Sequence, residues 1–167
     1  MTQDKIFMKF ICSLIVVEDI EKAKHFYVDI LKQHIISDFG ENIGFEGGFA
    51  IHKREHFKKL INDMEIQQGS NAFELYFEDD DLEVLEKELK KDEIEFVHEI
   101  REQPWKQRVM RFYDYDRNII EVGERLEHVA YRLYKEKKSF EEIEKTTYLD
   151  RARIEMAIKE YSKKEFS

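Results

Sequence analysis

The segment at residues 97–109, VHEIREQPWKQRV, carries several side chains suited to chemistry. Trp105 offers a flat ring for stacking, and Arg108 offers a guanidinium that could bind an anion beside it. His98 and Glu99 form a candidate acid–base pair. Adjacent strand residues point to opposite faces, so we expect at most one of these two to face a pocket. The alternative role for Trp105 is to anchor a loop on the sheet.

Other catalytic motifs are missing from the sequence. It has no G-x-S-x-G elbow, phosphate loop, dinucleotide fingerprint or C-x-x-C pair. Cys12 is the single cysteine. Nucleophilic catalysis by this thiol would need a basic neighbour, which the sequence does not locate.

Composition narrows the function classes. The 167 residues are 42% hydrophobic and 39% charged, with a formal net charge of -9. A chain this acidic is repelled by phosphate backbones and anionic lipid, which argues against nucleic acid and membrane partners. No apolar run approaches the roughly 18 residues of a membrane span. One cysteine allows no internal disulfide, and residues 1–5 lack the apolar core of a signal peptide, so we expect a cytoplasmic protein.

The chain repeats one order of elements. Residues 10–17, FICSLIVV, are typical of a buried strand, and Asp19 is placed to cap a following helix. Residues 35–52 hold short apolar runs separated by glycines, which predicts three short strands. The second copy has a strand, a helix capped by Asp81 and three more strands, predicted at residues 71–77, 82–89, 96–97, 109–113 and 119–122. Two βαβββ modules of an α+β fold follow from this internal repeat.

The remainder has helical spacing throughout and predicts two or three short helices, with Ser139 and Glu142 matching a capping box. We therefore divide the chain into a domain at residues 8–125 and a helix-turn-helix-like tail at residues 126–167. Acidic residues surround Arg151 and Arg153, which disfavours DNA binding. We expect the apolar stripe of the tail to pack on the domain, close a pocket or form a dimer contact.

Three segments resemble motifs of one superfamily. SLIVVEDIEKAKHFY resembles the opening of a glyoxalase-family module, ELYFEDDDLEVLEKEL the opening of a second module, and RFYDYDRNIIEVGE the closing motif. Together they resemble the glyoxalase/bleomycin resistance protein/dioxygenase (vicinal oxygen chelate) superfamily over residues 10–124. The resemblance implies a curved mixed sheet around a pocket, and a homodimer. Tyr115 and Arg117 stand where the family commonly has Pro and Gly, which a type I turn tolerates.

The resemblance also implies a set of metal ligands. Glu121 lies in the closing motif, and His52 ends the last strand of the first module, unless a register slip puts Ile51 there. Aligning the two helix caps places Cys12, where the family usually has His, opposite Glu74. Carboxylate and imidazole ligands suit Zn, Ni, Mn or Fe, and a thiolate at Cys12 would favour zinc.

Each of these four residues has a structural alternative. Cys12 is equally typical of a buried core thiol. The alternative for Glu121 is a carboxylate at a strand end that is paired with Arg or Lys. The alternative for Glu74 is a carboxylate that points outward into solvent. His52 fits a surface imidazole in the run HKREH.

Three functions remain open. The first is a glyoxalase-like, metal-dependent lyase or isomerase acting on a small substrate with adjacent oxygens, with Glu74 and Glu121 as catalytic residues. The second is a metal-free, bleomycin-resistance-like protein that binds a small aromatic or cationic compound, with Trp105, Arg108 and His98 as contacts. The third is a ligand sensor whose tail touches DNA or a partner.

Overall fold

A computed structural model describes residues 8–165. The first five residues, on which the signal-peptide prediction rests, and the last two residues of the tail lie outside this range. The chain forms two compact units that meet in sequence at Gln68 and Gly69. Each unit contains one four-stranded sheet.

The first unit is a βαβββ module. Its sheet has the order β1-β4-β3-β2, with β1 parallel to β4 and the other pairs antiparallel. A π-helical turn, Phe26–Ile30, extends the first helix. The elements are β1 (Ser13–Val17), α1 (Ile20–His25), β2 (Ile35–Asp38), β3 (Asn42–Phe45), β4 (Phe49–Lys53) and α2 (Arg54–Leu60).

The first module is organised as the sequence predicts. The Asp19 carboxylate accepts hydrogen bonds from the amides of Glu21 and Lys22, both at 3.1 Å, so it caps α1. Tyr27 is fully buried, and its ring lies 5.8 Å from that of Phe45 and 5.4 Å from that of Phe49. The apolar face of the helix thus packs on the sheet.

The first strand is shorter than predicted. It begins at Ser13, whereas Phe10 and Ile11 are 76% and 69% exposed. Its partner strand β4 begins at Phe49, which pairs with Ser13. Residues before Ser13 therefore have no strand beside them and lie outside the sheet.

The second unit repeats the order. Its sheet has the order β5-β8-β7-β6, with β5 parallel to β8. Asp81 precedes the helix as predicted but makes no side-chain cap, and its amide donates to the Asp79 carboxylate at 2.9 Å instead. The elements are β5 (Glu74–Glu78), α3 (Leu82–Lys91), β6 (Phe96–Glu102), β7 (Arg108–Tyr113) and β8 (Ile119–Gly123). The α+β class and both βαβββ modules are confirmed.

The turn between β7 and β8 agrees with the expected type I form: the Arg117 amide donates to the Asp114 carbonyl at 3.1 Å, and neither Tyr115 nor Asp116 has a positive φ. Asp114 accepts hydrogen bonds from the amides of Asp116 and Asn118 at 2.9 and 2.8 Å. Arg117 has a φ of 64°, in the left-handed region that favours glycine. The Arg117 side chain lies on the surface and pairs with Glu95 at 2.6 Å.

The tail consists of three helices within the second unit: α4 (Leu126–Lys135), α5 (Phe140–Thr147) and α6 (Arg151–Lys164). The capping box of Ser139 and Glu142 is confirmed. The buried stripes of the tail pack on one another rather than on the sheet, in a core of Val129, Ala130, Leu133, Ile143, Leu149 and Ile154. No helix in the described part of the chain is long and apolar enough to cross a membrane.

Polar contacts join the tail to the second module. Tyr161 of the tail donates to the Asp80 carboxylate at 2.5 Å, and this carboxylate also accepts from Arg125, the last residue of the domain, at 2.9 Å. Arg132 donates to the fully buried carboxylate of Glu124 at 3.2 Å. The tail is therefore attached to the module by polar contacts.

Candidate functional site

One row of polar side chains crosses the sheet of the second module. The strand register pairs Tyr76 of β5 with Glu121 of β8, Glu121 with Arg111 of β7, and Arg111 with His98 of β6. Residues paired in this way point to the same face of a sheet. These four residues, with Glu74 two positions before Tyr76, are called the polar row below.

Arg111 lies at the centre of the polar row. Its Nε donates to Glu74 at 3.0 Å, and its Nη2 donates to Glu121. Glu121 is buried, with 7% of its surface exposed, whereas Glu74 is exposed. One guanidinium thus pairs with both carboxylates that the resemblance implies as metal ligands of this module.

His98 joins the same group as a neutral imidazole. Its Nδ1 lies 2.8 Å from the Glu99 carbonyl, which can only accept, so Nδ1 carries the proton. Its Nε2 is then free to accept from Arg111 at 3.4 Å. Burial, with the charges of Arg101 and Arg111, lowers the pKa of His98, despite the opposing effect of its hydrogen bond to Glu99. The ring therefore stays uncharged at neutral pH.

The polar row carries a net negative charge. Two carboxylates against one guanidinium leave a charge of -1, because His98 is neutral. A cleft of about 280 Å³ opens beside Glu74 and is lined by Phe73 and Ile119. This combination of a carboxylate and apolar surface suits a small cation with an apolar part.

The first module places His52 at the position equivalent to Glu121. His52 on β4 pairs with Val16 of β1, just as Glu121 on β8 pairs with Tyr76 of β5. The neighbouring Ile51 pairs with Ile15, and both are buried in the core. The register slip towards Ile51 is therefore wrong. The surface alternative for His52 is wrong too, because the residue is only 6% exposed.

His52 is held by two neighbours. Its Nδ1 lies 3.0 Å from the Asn42 amide nitrogen and its Nε2 lies 2.7 Å from Nδ1 of His56. Since the amide nitrogen donates, His52 carries its proton on Nε2 and donates it to His56. Burial and the nearby His56 lower the pKa of His52.

Cys12 does not correspond to Glu74. Superposing the inward residues of the first strands, Ile15 on Leu75, places Leu14 opposite Glu74. Cys12 is exposed and precedes β1, so the core-thiol alternative is wrong.

Arg108 lies on the opposite face of β7 from Arg111. Its Nε donates to Glu124 at 2.8 Å and its Nη1 to Glu83. The expectation that Arg108 and Trp105 form one anion-binding pair is therefore wrong, because the guanidinium is already engaged by two carboxylates. Trp105 is 45% exposed, and its indole N–H donates to Gln107 at 2.9 Å.

The residue that sequence reasoning missed is Arg111. It lies in the closing segment RFYDYDRN, two strand positions before Tyr113. Its alternation with the inward residues Met110 and Phe112 was the available signal that it shares a face with Glu121.

The donor set of the second module does not fit a divalent ion. A metal at Glu74 and Glu121 would have to displace the guanidinium of Arg111 from both carboxylates. Within residues 8–68, and within residues 69–165, no three His, Cys, Asp or Glu side chains are grouped to hold a metal.

Comparison with known proteins places the chain among its relatives. A family model for a glyoxalase-like domain matches residues 10–127. A structure of a protein of unknown function from Agrobacterium tumefaciens is 36% identical with a TM-score of 0.65, covering 74% of this chain and 99% of that chain. Comparison with proteins of curated function gave no match.

Two solved structures with named activities are more distant. The fosfomycin resistance protein FosX from Listeria monocytogenes is 16% identical with a TM-score of 0.54, covering 74% of this chain and 99% of that chain. A lactoylglutathione lyase from Agrobacterium tumefaciens is 18% identical with a TM-score of 0.53, covering 70% of this chain and 92% of that chain. At these identities the likeness shows a shared fold and says nothing of activity.

Proposed function

Since the chain belongs to the glyoxalase-like domain family, we propose that it is a binding protein of that family that holds a small organic cation without a metal ion. The observation that carries this proposal is Arg111, which bonds to both Glu74 and Glu121. An internal cation thus stands between the two carboxylates that the resemblance implies as metal ligands. The family scaffold hosts many functions, so the assignment rests on the residues of the site.

The ligand class follows from the remaining charge. The polar row keeps a charge of -1, and Glu74 is its exposed carboxylate. The Phe73 ring beside it is 46% exposed and offers an apolar face. A primary or quaternary ammonium with an aromatic group would pair with the carboxylate and stack on the ring.

A thermal-shift screen tests this proposal. Benzylammonium and benzyltrimethylammonium are compared with neutral benzamide and anionic benzoate, with and without EDTA. We expect the cations alone to raise the melting temperature, equally in EDTA, and Glu74→Gln to abolish the effect. Glu88→Gln, which removes an exposed carboxylate from α3, is the matched control. If no cation stabilises the protein, or if EDTA abolishes stabilisation, the proposal fails.

The second candidate function is a metal-dependent lyase or isomerase of glyoxalase type. It is favoured by His52, which is buried and whose lowered pKa keeps the imidazole in the neutral form that binds metals. His52 now donates to His56, so a metal would have to replace that bond. Metal titration distinguishes this candidate from the metal-free one.

Further expectations remain proposals. We expect a homodimer, which analytical ultracentrifugation would test, and a cytoplasmic location. A ligand sensor whose tail contacts DNA or a protein is a less favoured function. In the tail, Arg153 is paired with Glu127 and Arg151 with Glu155, which leaves no basic stripe on the start of α6.

A further inference from the structure

A second cleft lies between the tail and the loop that joins β6 to β7. It has a volume of about 560 Å³, which is within the range of small-molecule sites. Trp105 and Tyr148 are its aromatic residues, and Pro104 and Leu133 contribute further apolar surface. All of its lining residues belong to the second unit, and none belongs to the polar row. This space is called the tail cleft below.

The tail cleft has the opposite charge to the polar row. Three ammonium groups, those of Lys106, Lys138 and Lys145, line it against the single carboxylate of Glu142. This lining carries a net charge of +2 on a chain whose formal net charge is -9. One oxygen of Glu142 accepts from the amide of Ser139 at 2.9 Å in the capping box, and the other lies 4.0 Å from the ammonium of Lys138. Lys106 is paired with Glu102 at 2.7 Å, and the lysines still exceed the carboxylates when Glu102 is counted. The cleft therefore favours an anion.

Trp105 is held in place by a chain of hydrogen bonds. Its indole N–H donates to Gln107, whose amide donates in turn to the Tyr76 hydroxyl at 2.9 Å. Gln107 also donates to the carbonyl of Glu124 at 2.7 Å, and it is buried. The indole is thus fixed before a ligand arrives, which reduces the entropy lost on binding.

Tyr148 is held in a conformation that tyrosine rarely adopts. It ends α5 with a φ of 57°, where glycine is the common residue, and 89% of its surface is exposed. An exposed ring contributes little to packing, so fold stability does not account for a tyrosine at this strained position. Eight other described residues besides glycine share a positive φ, so the case for Tyr148 rests on its exposed ring at the cleft.

We propose that the tail cleft binds a small aromatic anion. The ring of the ligand lies against Trp105 and Tyr148, and its acid group pairs with Lys138 and Lys145. The cleft thereby gives the tail a role in ligand recognition. This inference does not depend on the function proposed for the polar row, because the residues differ and the charge preference is reversed.

Isothermal titration with three naphthalene probes of similar shape tests the proposal: 2-naphthoate, 2-naphthamide and 2-naphthylmethylammonium. We expect 2-naphthoate to bind at least about tenfold more tightly than the amide and the ammonium not to bind, because the rim is cationic. Trp105 is the only tryptophan, so its emission must change on the same titration curve. Equal affinities for the three probes, or an unchanged emission, would overturn the proposal.

Two variants and a control locate the site. Lys138→Gln with Lys145→Gln should weaken 2-naphthoate binding by about tenfold or more. Tyr148→Gly should weaken 2-naphthoate and 2-naphthamide alike, and glycine suits this backbone conformation, so the variant should fold. Lys159→Gln removes an exposed ammonium from α6 and should leave binding unchanged. Unaltered 2-naphthoate binding in the first two variants would contradict the assignment.

Discussion

Replacing Arg111 tests whether its guanidinium acts as the internal cation of the polar row. Arg111→Ala leaves the buried carboxylate of Glu121 without its cation, and leaves Glu74 unpaired beside it. Breaking a buried ion pair by removing one partner costs about 3–5 kcal/mol. Since Arg111 is partly exposed and water can reach the row, we expect a loss nearer 2–3 kcal/mol, or about 4–12 °C in melting temperature.

A double variant separates the charge effect from lost packing. In Arg111→Ala with Glu121→Gln, no buried charge remains to be compensated, so the double variant should recover at least about 1 kcal/mol relative to Arg111→Ala. Arg101→Ala, which removes an exposed guanidinium from the same sheet, is the matched control and should change stability by less than about 1 kcal/mol.

The assay is thermal and urea denaturation of the four proteins at neutral pH, repeated with millimolar zinc or manganese. Metal should stabilise Arg111→Ala, where two carboxylates are released, and leave the wild type unchanged. If Arg111→Ala is as stable as the wild type, or if the double variant is less stable than the single variant, the guanidinium does not act as the internal cation.

Three other changes have defined expectations. Burial alone would raise the pKa of Glu124, but His128, whose Nδ1 lies 3.3 Å from the carboxylate, and the hydrogen bonds from Arg108 hold it at about 2. Because this pKa lies below the ordinary value of 4.5, the stabilisation of about 3 kcal/mol is present above pH 4.5 and is lost as the pH falls towards 2. Acid titration of stability should show this loss in the wild type and a flatter profile in Glu124→Gln. Tyr148→Gly should raise the melting temperature by about 2–4 °C, because glycine relieves the left-handed strain, and a lower value would contradict that strain. Asp114→Ala should cost about 3 kcal/mol in urea denaturation, since the carboxylate accepts three hydrogen bonds within the turn, and a loss below about 1 kcal/mol would show that the turn forms without them.

The periodicity of the chain predicted the elements well, because burial of one face determines the spacing of apolar residues in both modules. The exact ends of strands and helices were predicted less well, because they depend on neighbouring strands and on local hydrogen bonds. Residues 10–12 read as strand, yet β4 begins only opposite Ser13. The Asp81 side chain was expected to cap α3, yet the Asp79 carboxylate accepts the Asp81 amide instead.

The site was harder to predict because it depends on alignment between modules and on which face each side chain occupies. In the first module, α1 begins three residues after the inward residue Val17. In the second module, α3 begins five residues after the corresponding residue Phe77, so the link there is two residues longer. Aligning the caps therefore displaced the comparison by two residues, from Leu14 to Cys12.

Which arginine belongs to the site depended on the face of β7 that each side chain occupies. Arg108 and Arg111 are three positions apart on β7, so they face opposite sides of the sheet. The partners of Arg111 lie on β5, β6 and β8, which only the strand register brings together. The alternative that Glu121 pairs with an arginine was already open from the sequence, and the structure identifies that arginine.

The most direct test of the metal-free account is isothermal titration of chelator-treated protein with Zn, Ni, Mn and Fe(II) under reducing conditions, beside the Glu121→Ala variant. We expect no saturable binding of one equivalent by the wild type, because Arg111 already occupies both carboxylates. Stoichiometric binding by the wild type that is lost in Glu121→Ala would contradict it and would favour the metal-dependent lyase or isomerase.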